Sequence, residues 1–332
     1  MTDLLVYARA VHFAATLSLA GAVFFSVFIA EPAFRKAGAA TRVLTAVNHA
    51  LVLIAWIGLG LALLSGAAWF VALAQSMSDR SLQEVFSEGI LWIVLTQTGF
   101  GRDWLARLIL GLLLAALFIP FFAATEIRAP NSRSIWVKVA AVLSAAGLCG
   151  TLTWAGHAAG GSGAEAVLHP AADFLHLVAA AAWVGTLLPL ALLLAVAGAN
   201  AASITVARIA TTRFSALGIG SVVTLLVTGS INAWYLAGSV AALTETDYGH
   251  LLLAKVALFV VMVAVAAINR LLLAPRLVQE TNPAAAQAAL RQLRRNTAIE
   301  IAIGAAIVAV VSVLGTNPPG LEAIGHPHHY SH

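Results

Sequence analysis

Ten histidines carry most of the chemistry available to this 332-residue chain, and nine of them gather at or near one side of an apolar sequence. His12, His157, His169, His176 and His250 fall in or beside helix ends on that side. His326, His328, His329 and His332 crowd the C-terminal tail, and only His49 falls opposite. Imidazole is a borderline-soft ligand that suits copper, zinc, iron and nickel. One-sided enrichment therefore points to a transition metal, or a metal cofactor, met at that face.

The densest constellation runs from Thr151 to Gly185. A helix is expected to end at His157, a Gly-rich external loop follows with His169, and Pro170 opens the next helix. Asp173 and His176 are spaced i, i+3 and share one helical face about a turn inside the outer end. A carboxylate beside a histidine can fix its tautomer and raise its basicity behind a metal, or ligate the metal itself. The alternative is that both are simply hydrated at the interface, although ionisable groups inside an apolar helix are costly and tend to mark pathways.

His12 lies about two turns into the first helix, with Arg9 one turn nearer the surface on the same face. Arg9 could pair with Asp173 if the first and fifth helices touch, or reach lipid headgroups. Cys149 is eight residues before His157. It could pass Cu(I) inward as a thiolate or act as a small buried hydrophobe. Beyond Met1 only Met77 and Met262 are present, so stacked thioether rings are not expected. Arg107 and Lys255 read as residues that snorkel to the interface, and Asn232 and Asn269 as polar stitches between helices. The tail, GHPHHYSH, would collect Cu(II), Zn(II) or Ni(II) without selecting among them.

Such residues need a scaffold, and composition sets its class. Hydrophobic residues make up 61% of the chain and charged ones 10%, against about 25% charged in soluble domains. The chain is read as an all-α polytopic membrane protein. Its 18 Lys and Arg against 14 acids are dispersed among helix junctions, which is not a nucleic-acid footprint. A bilayer span needs about 20 apolar residues. Runs of that length cover roughly 4–30, 43–74, 102–124, 135–157, 171–198, 205–237, 249–274 and 297–315. Thirteen of the 18 Lys and Arg fall at one set of junctions and five at the other. The positive-inside rule then turns the histidine side and both termini outward. Residues 80–100 hold an apolar stretch too short to span and read as an external interfacial or re-entrant segment. Residues 284–296 read as a basic cytoplasmic helix end near lipid headgroups.

The sequence also repeats itself. Gly follows His by nine residues twice, His12 to Gly21 and His176 to Gly185. Gly66 in helix two matches Gly229 in helix six, and Leu105-Ala106-Arg107 matches Leu253-Ala254-Lys255. Four helices per half give parallel repeats about an axis along the membrane normal. The expected organisation is a first half over 1–157, a second over 158–316 and a His-rich tail over 317–332.

These residues resemble the copper resistance protein D family of bacterial inner-membrane proteins. The likeness covers nearly the whole chain and is densest over 150–320. It is carried by WAGHA (154–158), DFLHLVAAAAWVGTLLPL (173–190), RFSALGIGSVVTLLVTGSINAWYL (213–236), YGHLLLAKVALFVVMVAVAAINRLLLAPRL (248–277) and LGTNPP (314–319), with ARAVHF and TGFGRDWLARL (98–108) in the first half. The resemblance implies a non-enzymatic copper protein of the inner membrane with periplasmic termini. It would pass copper, as Cu(I) or Cu(II), from periplasm to cytoplasm beside a periplasmic partner of the copper resistance protein C type. The metal contacts it implies here are His157, Asp173 and His176, with His12 in support. No Walker or P-type phosphorylation motif is present, so ATP-driven transport within this chain is excluded. Two other readings stay open: a redox protein with His12 and His176 as an axial haem pair, and a sensor or assembly partner that binds copper without moving it.

Overall fold

The computed structural model describes residues 2–37, 41–125, 132–155, 165–197, 201–279 and 282–320. Among them there is no strand. Eight helices are long and apolar enough to cross a bilayer: α1 (Leu4–Ala37), α2 (Val43–Ser78), α3 (Gly99–Phe122), α4 (Ser134–Trp154), α5 (Ala166–Val196), α6 (Ala202–Ala237), α7 (Asp247–Val278) and α8 (Ala284–Leu314). The protein is an all-α polytopic membrane protein, as its composition required. Only helices satisfy every backbone group within one span of lipid.

The helices overrun the apolar runs that signalled them. Pro170 was expected to open the fifth helix, but that helix starts at Glu165 and holds Pro170 in its second turn. There it removes the amide that would have bonded the Ala166 carbonyl, a single bond near the end of the helix. Residues 284–296 are continuous with α8, whose start is set by Pro283 at the first helical position and by Asn282, whose Oδ1 accepts from the Ala284 amide. Two π-turns, Ser26–Ala30 and Asn269–Leu273, each end two residues before a proline, Pro32 and Pro275. Pro32 cannot donate to the Phe28 carbonyl, which accepts from Arg213 Nη1 at 3.2 Å instead.

α1 and α5 form the centre. In α1, 78% of the most apolar window is buried, against 6% in α7, which faces outward. The two central helices cross where Gly21 meets Gly185. A Cβ on Gly21 would lie 2.1 Å from the Gly185 carbonyl carbon, and one on Gly185 would lie 2.1 Å from the Leu17 oxygen. Lipid tails are as apolar as leucine, so close backbone contact at small residues supplies the packing attraction here.

Residues 80–100 do not cross. They form two short helices, Leu82–Ser87 and Ile90–Gln97, joined at Gly89 in the left-handed region (φ 73°). Ser81 and Glu84 make a capping box, and the Ser81 hydroxyl and amide hold the Glu84 carboxyl below its usual pKa. Val85 and Val94 anchor the pair against Phe70 and Ala74 of α2. A shorter counterpart, Val240–Glu245, precedes α7. Both lead into the next span through the same turn. Thr98 Oγ1 donates to the Val94 carbonyl and accepts from the Gly101 amide, while Thr246 Oγ1 donates to Ala242 and accepts from Gly249. Gly101 and Gly249 both sit so close to the preceding helix that a Cβ would overlap its backbone.

Candidate functional site

Two histidine sites lie at the same end of the bundle, one in each half. In the second half, α5 carries His169, Asp173 and His176 at i, i+4 and i+7, one stripe of a helix. They line a cavity of about 190 Å³ bounded also by Gly229 and Asn232 of α6, Tyr248 and Lys255 of α7, Val311 of α8 and Arg9 of α1.

His176 is held in one tautomer. Its Nδ1 is 3.0 Å from Thr228 Oγ1, and that hydroxyl spends its only proton on the Thr224 carbonyl at 2.6 Å. Thr228 must therefore accept from Nδ1–H, which leaves the Nε2 lone pair free. A ligating imidazole has this form, with one nitrogen donating to a neighbour and the other open. One turn away Asp173 Oδ1 accepts from Asn232 Nδ2 at 3.0 Å, while the Asn232 oxygen has no partner among the described residues. Lys255 acts on Asp173 and His176 through charge, without ion-pair contact. His169 is buried and its ring stacks on Tyr235 at 5.2 Å.

The first half repeats the hydrogen bonding and changes the surroundings. His12 Nδ1 lies 2.9 Å from the Ala62 carbonyl and 3.3 Å from Ser65 Oγ, whose proton goes to the Leu61 carbonyl. Its Nε2 is buried with no partner among the described residues. Gly66 and Gly229 let the two rings approach: a Cβ there would sit 3.2 Å from His12 Cε1 and 3.4 Å from His176 Cε1. The space around His12 is only about 20 Å³. Trp69 packs its edge on the imidazole at 5.6 Å, and Trp104 donates to the Gly66 carbonyl at 3.2 Å.

Arg107 fills what remains, contrary to its expected reach for the interface. It is 4% exposed, ion-paired with Asp103, and donates to Thr151 Oγ1 at 3.2 Å and to the Thr151 carbonyl at 2.9 Å. Its guanidinium also lies 5.1 Å from the Trp69 ring centre. A carboxylate one turn earlier, a carbonyl and an aromatic face together replace the water that snorkelling would have found. Asp103 was overlooked in the sequence, although its i, i+4 spacing to Arg107 was the available signal. Lys255, the matched cation, lines the cavity of the second half. Arg9 does not pair with Asp173 either. It donates to the Gly315 carbonyl at 3.0 Å and lies over the other side chain it meets, Trp69, at 5.1 Å. The free carbonyls at the end of α8 attract it first.

Several expected contributors lie elsewhere. His12 and His176 line separate cavities. Cys149 is fully buried in the apolar core and lines neither space. His250 is exposed and bonds the Thr244 carbonyl, and His49 is exposed. His157, His326, His328, His329 and His332 lie outside the described residues. Among those described, no three His, Cys, Asp or Glu side chains converge closely enough to hold a metal ion.

Eight apolar spans, with a cavity lined by histidine and aspartate at one end, define a polytopic membrane protein. Residues 1–167 match the family described as copper resistance protein D-like, N-terminal domain, and residues 207–314 match copper resistance protein D. The chain is 30% identical over 311 residues to copper resistance protein D of Pseudomonas syringae pv. tomato, covering 92% of this chain and 94% of that one. It is 30% identical over 313 residues to inner membrane protein YebZ of Escherichia coli (strain K12), covering 94% and 97%. Copper transport protein CutJ of Bacillus subtilis (strain 168) is 30% identical over 242 residues, 73% of this chain and 41% of that protein. No solved structure matches. The chain belongs to the copper resistance protein D family, and is a multi-pass protein of the inner membrane.

Proposed function

We propose that this chain carries copper across the inner membrane from periplasm to cytoplasm, taking it up through the cavity lined by Asp173 and His176. The observation that carries this reading is the free Nε2 of His176, with its tautomer fixed by Thr228 and a carboxylate one turn away in the same cavity. Copper is the cargo. A ring nitrogen and a carboxylate oxygen give it two donors of borderline and hard character. His169, His157, water or the tail histidines complete the set during uptake. Two protein donors instead of a closed four-ligand cage suit an ion that must leave again. The printed name of the Bacillus subtilis relative, a copper transport protein, supports the cargo. The positive-inside distribution supports the orientation. A periplasmic copper carrier of the copper resistance protein C type would deliver to the outer mouth.

The two halves are read as parallel repeats, supported by the matched turns, the matched histidine bonds and the crossing of Gly21 with Gly185. In that reading the His12 site is the closed counterpart of the His176 site. Its Arg107, Asp103, Trp69 and Trp104 occupy the volume that the second half leaves open.

Copper accumulation over time in cells expressing the parent, His176→Ala or an empty vector tests the proposal. Uptake should rise with the parent and return to the vector level with the variant. Equal curves for all three would remove autonomous transport from consideration.

A further inference from the structure

The second half holds another cavity, at the opposite end of the bundle from the histidines. It measures about 200 Å³ and lies between α5, α6, α7 and α8. Its walls are apolar, with Trp183 and Phe214 as the aromatic surfaces and Val222, Val263 and Ala266 among the aliphatic ones. Ile219 and Val223 on its rim are 44% and 55% exposed, on helix faces that meet lipid, so the cavity opens sideways into the membrane.

Two oxygens on residues of this wall, both closed off from solvent, have no partner among the described residues. Glu300, 1% exposed, accepts from Asn269 Nδ2 through Oε1, and Asn269 in turn accepts from Asn296 at 2.8 Å. Glu300 Oε2 is bonded to nothing among the described residues, and neither is Thr211 Oγ1, on a residue 6% exposed. An unsatisfied buried oxygen costs about 1–3 kcal/mol, and a native structure that keeps two of them in one cavity wall calls for an explanation. The Asn269 amide belongs to the π-turn, an irregularity that recurs at functional sites. None of these groups lines the histidine cavity at the other end.

We propose that this cavity binds the head ring of a membrane-dissolved quinone. A flat ring fits against Trp183 and Phe214. Its carbonyl oxygens accept from the Thr211 hydroxyl and from the Glu300 carboxyl in its acid form once these side chains turn into the cavity, and its apolar tail leaves through the rim at Ile219 and Val223. An acyl chain of a phospholipid would fill the same volume but leave both oxygens unpaired. Arg270 at the mouth donates to Ser215 Oγ at 2.7 Å.

The test is calorimetric titration of the purified full-length protein with ubiquinone-1, a short-chain benzoquinone. Saturable single-site binding is expected for the parent and for His176→Ala. Thr211→Val and Glu300→Leu should each weaken it by roughly tenfold, the cost of one buried hydrogen bond. Ala266→Phe should abolish it by filling the cavity while leaving the size-exclusion profile unchanged. If Glu300→Leu does not fold, Thr211→Val and Ala266→Phe decide the matter. Absence of saturable binding by the parent overturns the proposal. So does binding that survives Ala266→Phe, or displacement of the quinone by phosphatidylglycerol at equal concentration, which would make the cavity a lipid site.

Discussion

The same hydrogen-bonding device surrounds His12 and His176, yet one ring is packed shut and the other opens on a cavity of about 190 Å³. In both, a hydroxyl on the neighbouring helix gives its proton to its own helix and accepts from Nδ1, and a glycine beside it makes room for the ring. The difference lies one residue type away at each matched position. Arg107 and Lys255 match in sequence, but Arg107 has Asp103 one turn earlier and Trp69 beneath it. Lys255 has neither, and Asn232 stands where the first half has Trp69, three residues after the matched glycine. Two tryptophans and a neutralised arginine make a structural plug; an asparagine, a lysine and an aspartate leave polar space. The same hydrogen-bonding geometry can thus enclose either a packed ring or an open polar cavity, according to the side chains that fill it.

The contrast can be broken most severely where the halves join. Gly185→Leu places a side chain on the Leu17 carbonyl and the Gly21 backbone, where no rotamer relieves the contact. Both sites should fail together, read as loss of the monodisperse peak of extracted protein. Removing one cation from each half should separate them. Arg107→Ala leaves Asp103 buried and unpaired, at a cost of about 3–5 kcal/mol, and thermal stability should fall sharply. Lys255→Met removes a group without direct ion-pair contact, so stability should change by less than about 1 kcal/mol. Copper binding should instead tighten, because a positive charge beside Asp173 has gone. A sharper form compares the histidines. His12→Ala should cost about 2–5 kcal/mol of stability by emptying a packed, hydrogen-bonded place and leave copper binding intact, whereas His176→Ala should lower copper binding to what the tail histidines retain. Equal copper binding in the two variants would erase the functional distinction drawn between the halves.

The spans themselves were legible because a bilayer demands about 20 apolar residues and the chain supplies eight such runs. Their ends were not, since Pro170 and the basic residues 284–296 look like helix boundaries but sit inside helices held by their neighbours. Asp173 and His176 were legible as a pair because i, i+3 spacing on one helix fixes their common face. The fate of Arg107 was not, because it depends on Trp69 and Thr151, which reach it from other helices. The plugged and open cavities differ through such contacts between helices, and residue spacing along one helix carries no information about them. Glu300 escaped attention for the same reason: a lone acid near the start of an apolar run reads as interfacial until Asn269 and Asn296 are seen around it.

The finest distinction between the halves concerns the hydroxyls that fix the two imidazoles. Thr228→Val keeps the shape of the side chain but removes the acceptor for His176 Nδ1–H, the one partner of that nitrogen among the described residues. The ring is then free to turn or to move its proton to Nε2, where it blocks the lone pair. Loss of such an outer partner typically lowers metal affinity by about 10–100-fold, and copper affinity should fall toward the lower end of that range. Ser65→Ala makes the matching change in the first half, but His12 keeps the Ala62 carbonyl at 2.9 Å, and its ring is wedged by Trp69. Copper affinity should not change. Isothermal titration of both variants with copper measures the pair, and a loss of affinity in Ser65→Ala as large as in Thr228→Val would mean that the plugged site takes part in binding after all.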